Sequence, residues 1–152
     1  ITDEAVCISK EILTSELVKL PERLEAEIAV ISLVPGTSAK VLNSLVDAGV
    51  RGIILRVFGA GGLPSYGGWP KSVSEAVKKG IVFLVVSQCE SGQVELERYR
   101  VGTAAIEAGA ISAGNMTLEA AYAKLLWGLS LSNNPEKIRQ MLRIDFCGEY
   151  AE

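Results

Sequence analysis

The residues able to do chemistry fall in three short stretches. Arg56 lies near the end of the apolar run Gly52–Phe58, Ser87 and Cys89 follow the run Ile81–Val86, and Thr37 and Ser38 follow Pro35-Gly36. A guanidinium inside an apolar run needs a carboxylate, because an unpaired buried charge is very costly. That carboxylate is either internal, from an acid such as Glu149 or Asp145, or belongs to a small bound ligand. Structural ion pairs are common at such positions, which favours the internal partner. Cys89 would need a neighbouring base to become a thiolate, and the chain has no histidine. Ser87 also lacks a base beside it, so a hydrogen bond to a ligand or to backbone suits it better. Thr37 and Ser38 could meet a phosphate at a helix N-terminus, but capping the helix is the commoner use. No catalytic constellation is complete.

The glycine-rich stretch Gly59-Ala60-Gly61-Gly62 invites comparison with a dinucleotide fingerprint. Pro64 stands where the third glycine should be, no helix opens at once, and no acid follows where a ribose partner is expected. A loop long enough to fold over a ligand or touch another domain fits better. The missing histidine removes Ser-His and Cys-His nucleophiles and His-ligated metals. Cys7, Cys89 and Cys147 are widely spaced without a C-x-x-C pair. Neither zinc nor a disulfide framework is expected from them, and reduced thiols of a cytoplasmic protein are. No cofactor and no metal are predicted.

The elements that must position these residues are legible from hydrophobic pattern. Ile28–Val34, Gly52–Phe58 and Ile81–Val86 are nearly continuous apolar runs, as strands buried on both faces require. Between the first two lies a helical pattern (Val41, Leu42, Leu45, Val46) capped by Thr37 or Ser38 and stopped by Gly49. Pro70 suits the first position of a second helix, with Val73, Ala76 and Val77 inward and Gly80 at its end. A helix around Leu96–Ala108 and a short apolar stretch at Ala110–Ser112 come next. Leu118, Ala121, Tyr122, Leu125, Leu126 and Leu129 then mark one face of a long helix. Asn134-Pro135 opens a last helix with Ile138, Met141 and Leu142 inward. Strands alternating with such helices predict an α/β domain, a small parallel sheet of about four strands flanked by helices in a Rossmann- or flavodoxin-like three-layer arrangement. Residues 1–26 read as an N-terminal extension or inter-domain connection, and 27–152 as the domain.

The chain has 152 residues and a net charge of −3, with 49% hydrophobic residues. That length suits one domain with a sizeable core. No apolar run approaches the roughly 20 residues of a membrane span. Mild acidity with scattered basic residues gives no nucleic-acid or anionic-membrane surface. No signal peptide is visible, and an initial Ile1 suggests a piece of something longer.

The loops also carry a family resemblance. Gly52-Ile-Ile-Leu-Arg-Val-Phe-Gly-Ala-Gly-Gly-Leu-Pro64 resembles the "GIVI…GxGxxP" segment of cytoplasmic type I L-asparaginases. Ser87-Gln88-Cys89, followed by Ser91-Gly92-Gln93-Val94, is similar to their "[ST]QC-x-x-G-x-V". Tyr99, Ala108–Ser112 and Asn115–Leu125 resemble "Y-x-x-G…AGVIS-G-x-DMT-x-EAA-x-AKL", and Ile138-Arg139…Gly148-Glu149 resembles the closing "IR…GE". Four motifs in order, over about residues 27–150, make the likeness specific.

The resemblance implies the smaller C-terminal domain of a two-domain, oligomeric enzyme that converts L-asparagine and water to L-aspartate and ammonia. The nucleophilic threonine belongs to the N-terminal domain, whose motifs do not occur here, so no catalytic residue is assigned. It also implies a regulatory asparagine site lined by the residues matching Arg56, Ser87 and Cys89. Gly62 replaces the asparagine of regulated members and Asn115 replaces an aspartate, so the site should be weaker than theirs. Leu63, Tyr66 and Trp69 are candidates for an exposed self-association surface. A second reading is the similar domain of the archaeal glutamyl-tRNA(Gln) amidotransferase D subunit, which carries "GTGLGH" where this chain has Phe58–Gly62. A third is a non-enzymatic flavodoxin-like binding module, although Pro35–Ser38 is a poor phosphate loop for it.

Overall fold

A computed structural model describes residues 19–57, 63–64, 66–88, 105, 107–146 and 148–150. Its centre is a sheet of four parallel strands in the order β1 (Ile28–Ser32), β2 (Gly52–Val57), β3 (Val82–Ser87) and β4 (Ile111–Ser112). α1 (Lys40–Asp47), α2 (Trp69–Lys78), α3 (Leu118–Leu131) and α4 (Pro135–Leu142) flank it. Alternation along each strand divides the interior in two. Ile53, Leu55, Val57, Phe83 and Val85 face α1 and α2, meeting Leu42, Val73 and Ala76. Ile54, Val82, Leu84 and Val86 face α3 and α4, meeting Ala121, Leu125, Leu129, Ile138 and Leu142. The three-layer α/β prediction holds.

Details depart from the pattern for physical reasons. β1 is an edge strand rather than a doubly buried one: α3 and α4 cover β2 and β3, which leaves Val30 42% exposed. Thr37 does not cap α1. Its hydroxyl accepts from Val34 N and closes the preceding turn; Ala39 holds the cap position with no side-chain bond, while the Ser38 hydroxyl accepts from Lys40 N, the first N–H of the helix, at 3.3 Å. Pro70 and Asn134 act as expected, the Asn134 Oδ1 accepting from the N–H groups of Glu136 and Lys137. The buried stripe of α3 is turned from the apolar pattern, so that Lys124 and Gly128 are covered and Tyr122 is exposed. Leu63 and Trp69 are not surface residues. They are 1% and 0% exposed in the α1/α2 core, and only Tyr66, at 51%, fits the self-association surface. Of the predicted helix around Leu96–Ala108, Ala105 and Glu107 are helical, Ala108 already lies in a turn, and the rest lies outside the described residues.

Close packing fastens α3 to β2. A Cβ at Gly52 would lie 2.7 Å from Leu129 Cδ1 and 2.9 Å from Leu125 Cδ2, so only glycine permits this approach. The preceding Arg51 donates to the carbonyls of Leu129 at 3.0 Å and Ser132 at 2.8 Å, satisfying the negative end of the α3 dipole.

Candidate functional site

Ligands of open parallel sheets collect beyond the carboxyl ends of the strands. Here β1, β2 and β3 end side by side, with Ser32 opposite Arg56, Arg56 opposite Val86, and Val57 opposite Ser87. Arg56 shares the parity of Ile54 and so belongs to the α3/α4 side of the sheet. Ser87 shares that of Phe83 and Val85, on the α1/α2 side. The two residues therefore occupy one rim on neighbouring strands, across the sheet plane from each other. Cys89 and Gly62 lie outside the described residues.

Among the described residues no acid pairs with Arg56. Its Nη1 donates to Ser32 Oγ at 3.4 Å, and its Nε is buried with no acceptor. The internal partners expected for it are engaged elsewhere. Glu149 accepts from Lys124 Nζ at 2.6 Å, and Asp145 Oδ1 accepts from Gly148 N at 2.9 Å and Tyr150 N at 3.3 Å. Both acids sit in the tail after α4, which folds over Lys124 instead of reaching the rim. Arg56 thus presents a half-buried guanidinium with an unanswered donor. It suits a planar carboxylate, which can accept two N–H bonds at once.

Gln88 builds the rim around it, a role that sequence reasoning missed. Its Nε2 donates to the carbonyls of Leu33 and Arg56, each at 2.8 Å, while its backbone N–H donates to Val57 O at 2.8 Å. One side chain thereby ties the ends of β1, β2 and β3. The available signal was an amide two residues past the apolar run Ile81–Val86. Trp69 adds a second tie, its indole N–H donating to Thr37 O at 3.1 Å. The arrangement can hold an anion and orient it. Among the described residues it offers no nucleophile paired with a base, and no three Cys, Asp or Glu side chains converge as a metal would need. No helix among them is long and apolar enough to cross a membrane.

Comparison with known proteins agrees with this architecture. Residues 27–142 match the glutaminase/asparaginase C-terminal domain family. The chain is 33% identical, over 90% of its length, to the glutamyl-tRNA(Gln) amidotransferase D subunit of Pyrococcus abyssi, and covers 31% of that protein. It is 39% identical, over 83% of its length, to an L-asparaginase of Thermococcus kodakarensis, covering 38% of it. The solved structure of the thermostable L-asparaginase from Thermococcus kodakarensis superposes with a TM-score of 0.78 at 37% identity, over 84% of this chain and 39% of that one. The chain thus spans about a third of the length of these relatives. With the motifs, the four parallel strands and this match in agreement, the chain belongs to the glutaminase/asparaginase C-terminal domain family.

Proposed function

We propose that the chain is the C-terminal domain of a cytoplasmic L-asparaginase of type I. It would serve an enzyme that converts L-asparagine and water to L-aspartate and ammonia, and be inactive alone. The observation that carries this reading is the 39% identity to an L-asparaginase over 83% of the chain. The relatives' remaining length leaves room for an N-terminal domain that supplies the threonine chemistry. Residues 1–26 would connect the two domains, and 27–152 would form this one. Its contribution would be oligomerisation, with Tyr66 on the contact surface, and an amino-acid site at the rim. In that site Arg56 holds the ligand carboxylate, and Ser87 and Cys89 fix the remainder.

The test is ammonia release from L-asparagine by the purified 152-residue chain. None above a boiled control is expected, and release above it ends the proposal. Light scattering at high concentration should show association, and a strict monomer would count against the oligomeric role. A second reading, the D subunit of a tRNA amidotransferase, is favoured by the 33% identity over 90% of the chain. The parent protein separates the two: asparagine-driven ammonia release supports the first, and amide transfer to glutamyl-tRNA(Gln) supports the second. Family membership favours either over a freestanding flavodoxin-like module.

A further inference from the structure

The motif pair Ala123-Lys124-Leu125 and Gly148-Glu149 takes no part in the rim, yet it holds Lys124, the buried charged residue among the described residues. Lys124 projects from α3 with its side chain 5% exposed. Its ammonium donates to Ile144 O and to Glu149 Oε1, and lies 5.2 Å from the Phe146 ring centroid and 5.4 Å from that of Tyr150. The Glu149 carboxylate also accepts from Phe146 N, at 3.3 Å and 3.1 Å through its two oxygens. Ile144, Phe146, Glu149 and Tyr150 are therefore gathered as a cage around one cation, and the cage fixes where the Phe146 ring points. That ring meets Trp127 edge to face, with centroids 5.1 Å apart and planes at 83°. Trp127 lies one turn along α3 from Lys124. Its indole N–H donates to Lys19 O at 2.9 Å, and Ser130, a further turn on, accepts from Glu25 N at 3.1 Å.

The outer side of α3 thus receives two segments far apart in sequence, the one leading into β1 and the one following α4. We propose that Trp127 is a positioning residue that couples them: the Lys124 cage sets Phe146 against Trp127, and Trp127 in turn holds the backbone at Lys19. Order in the tail then governs order in the segment preceding β1. Without the edge-to-face contact the indole would be free to turn, and the Lys19 carbonyl would lose its anchor to α3 ahead of Ser130.

Trypsin reads both segments in one experiment, because Lys19, Arg23 and Arg143 are exposed and Lys71, on α2 across the sheet, serves as an internal reference. Cleavage of transiently opened chain follows the opening equilibrium. An aromatic contact of ordinary strength therefore corresponds to a roughly two- to tenfold change in rate. Phe146→Leu should raise cleavage after Arg143, Lys19 and Arg23 by that factor and leave Lys71 unchanged. Lys124→Met should do the same more strongly, and Trp127→Phe should raise only the cuts after Lys19 and Arg23. If Phe146→Leu accelerates Arg143 alone, or no site, the coupling does not exist. A uniform rise that includes Lys71 means loosening of the whole domain, and also overturns it. Phe146→Leu decides the matter even if Lys124→Met cannot fold, since it removes no charge.

Discussion

β2 carries an arginine at each end, and the two live in opposite circumstances. Arg51, just before the strand, donates to two carbonyls at the end of α3, and the adjoining Gly52 lets that helix approach closely. Among the described residues Arg56, at the other end, has one bond of 3.4 Å to Ser32 and a buried Nε without an acceptor. The same side chain is thus a completed structural fastener at the amino ends of the strands and an incomplete one at the carboxyl ends. An unanswered donor has a cost in a domain of marginal stability, and it is tolerated where a ligand or partner completes it. An orphaned donor alone does not mark a site: Arg139 also has buried N–H groups without partners, but it keeps Glu136 as its carboxylate at 3.3 Å. Among the described residues Arg56 has no such acid.

The largest effect should come from the fastened end. Arg51→Ala removes two charge-assisted bonds and leaves the last carbonyls of α3 to water, costing about 2–3 kcal/mol, or roughly 5–10 °C in Tm. Thermal melts check this, and a shift of less than a degree would erase the contrast between the two ends. Gly52→Ala should cost somewhat less. Its methyl would press on Leu125 and Leu129, both buried and unable to retreat, at about 1–3 kcal/mol. Reduced freedom of the unfolded chain returns roughly 0.4–1 kcal/mol, so a net loss of about 1–2 kcal/mol is expected in urea unfolding. A stabilised variant would mean that α3 can shift outward.

Much of this was legible in the chain, and the misses have a common cause. Apolar runs located three strands to within a residue or two at their carboxyl ends, because burial on a sheet demands them. Pattern cannot say which strand stands at the edge, so the exposure of Val30 was hidden. It also misplaced the buried stripe of α3, which includes Lys124 and Gly128: the lysine is covered because the tail supplies a carboxylate and two rings, a tertiary circumstance. For the candidate site, composition marked Arg56 as a charge needing a partner. It could not show that Glu149 and Asp145 would be held elsewhere, nor that Ser87 falls on the other side of the sheet.

At the carboxyl rim, Gln88→Ala sharpens the comparison. It takes an amide from the carbonyls of Leu33 and Arg56, but Arg56 O keeps the N–H of Leu33 at 2.9 Å, so one acceptor is stranded rather than two. The loss should be about 1 kcal/mol in urea unfolding, below that of Arg51→Ala. A larger drop would show that the rim is as firmly fastened as the opposite end.

The smallest change in stability is expected for Arg56→Ala. Were Arg56 paired with a buried carboxylate, its removal would strand that charge and cost roughly 3–5 kcal/mol. With one long bond to Ser32 and a buried donor relieved of its penalty, the cost should fall below about 1 kcal/mol, from lost packing of the side-chain stem. Binding should tell the other half. Gly62 offers backbone groups alone, so asparagine should give no heat in calorimetry at micromolar concentration and at best millimolar affinity, about −4 kcal/mol. Such affinity should vanish in Arg56→Ala. Tight binding that depends on Arg56 would keep the location and overturn the weakness. Binding indifferent to Arg56 would move the ligand elsewhere, and a loss of about 3 kcal/mol in the ligand-free chain would make Arg56 a fastener like Arg51 after all.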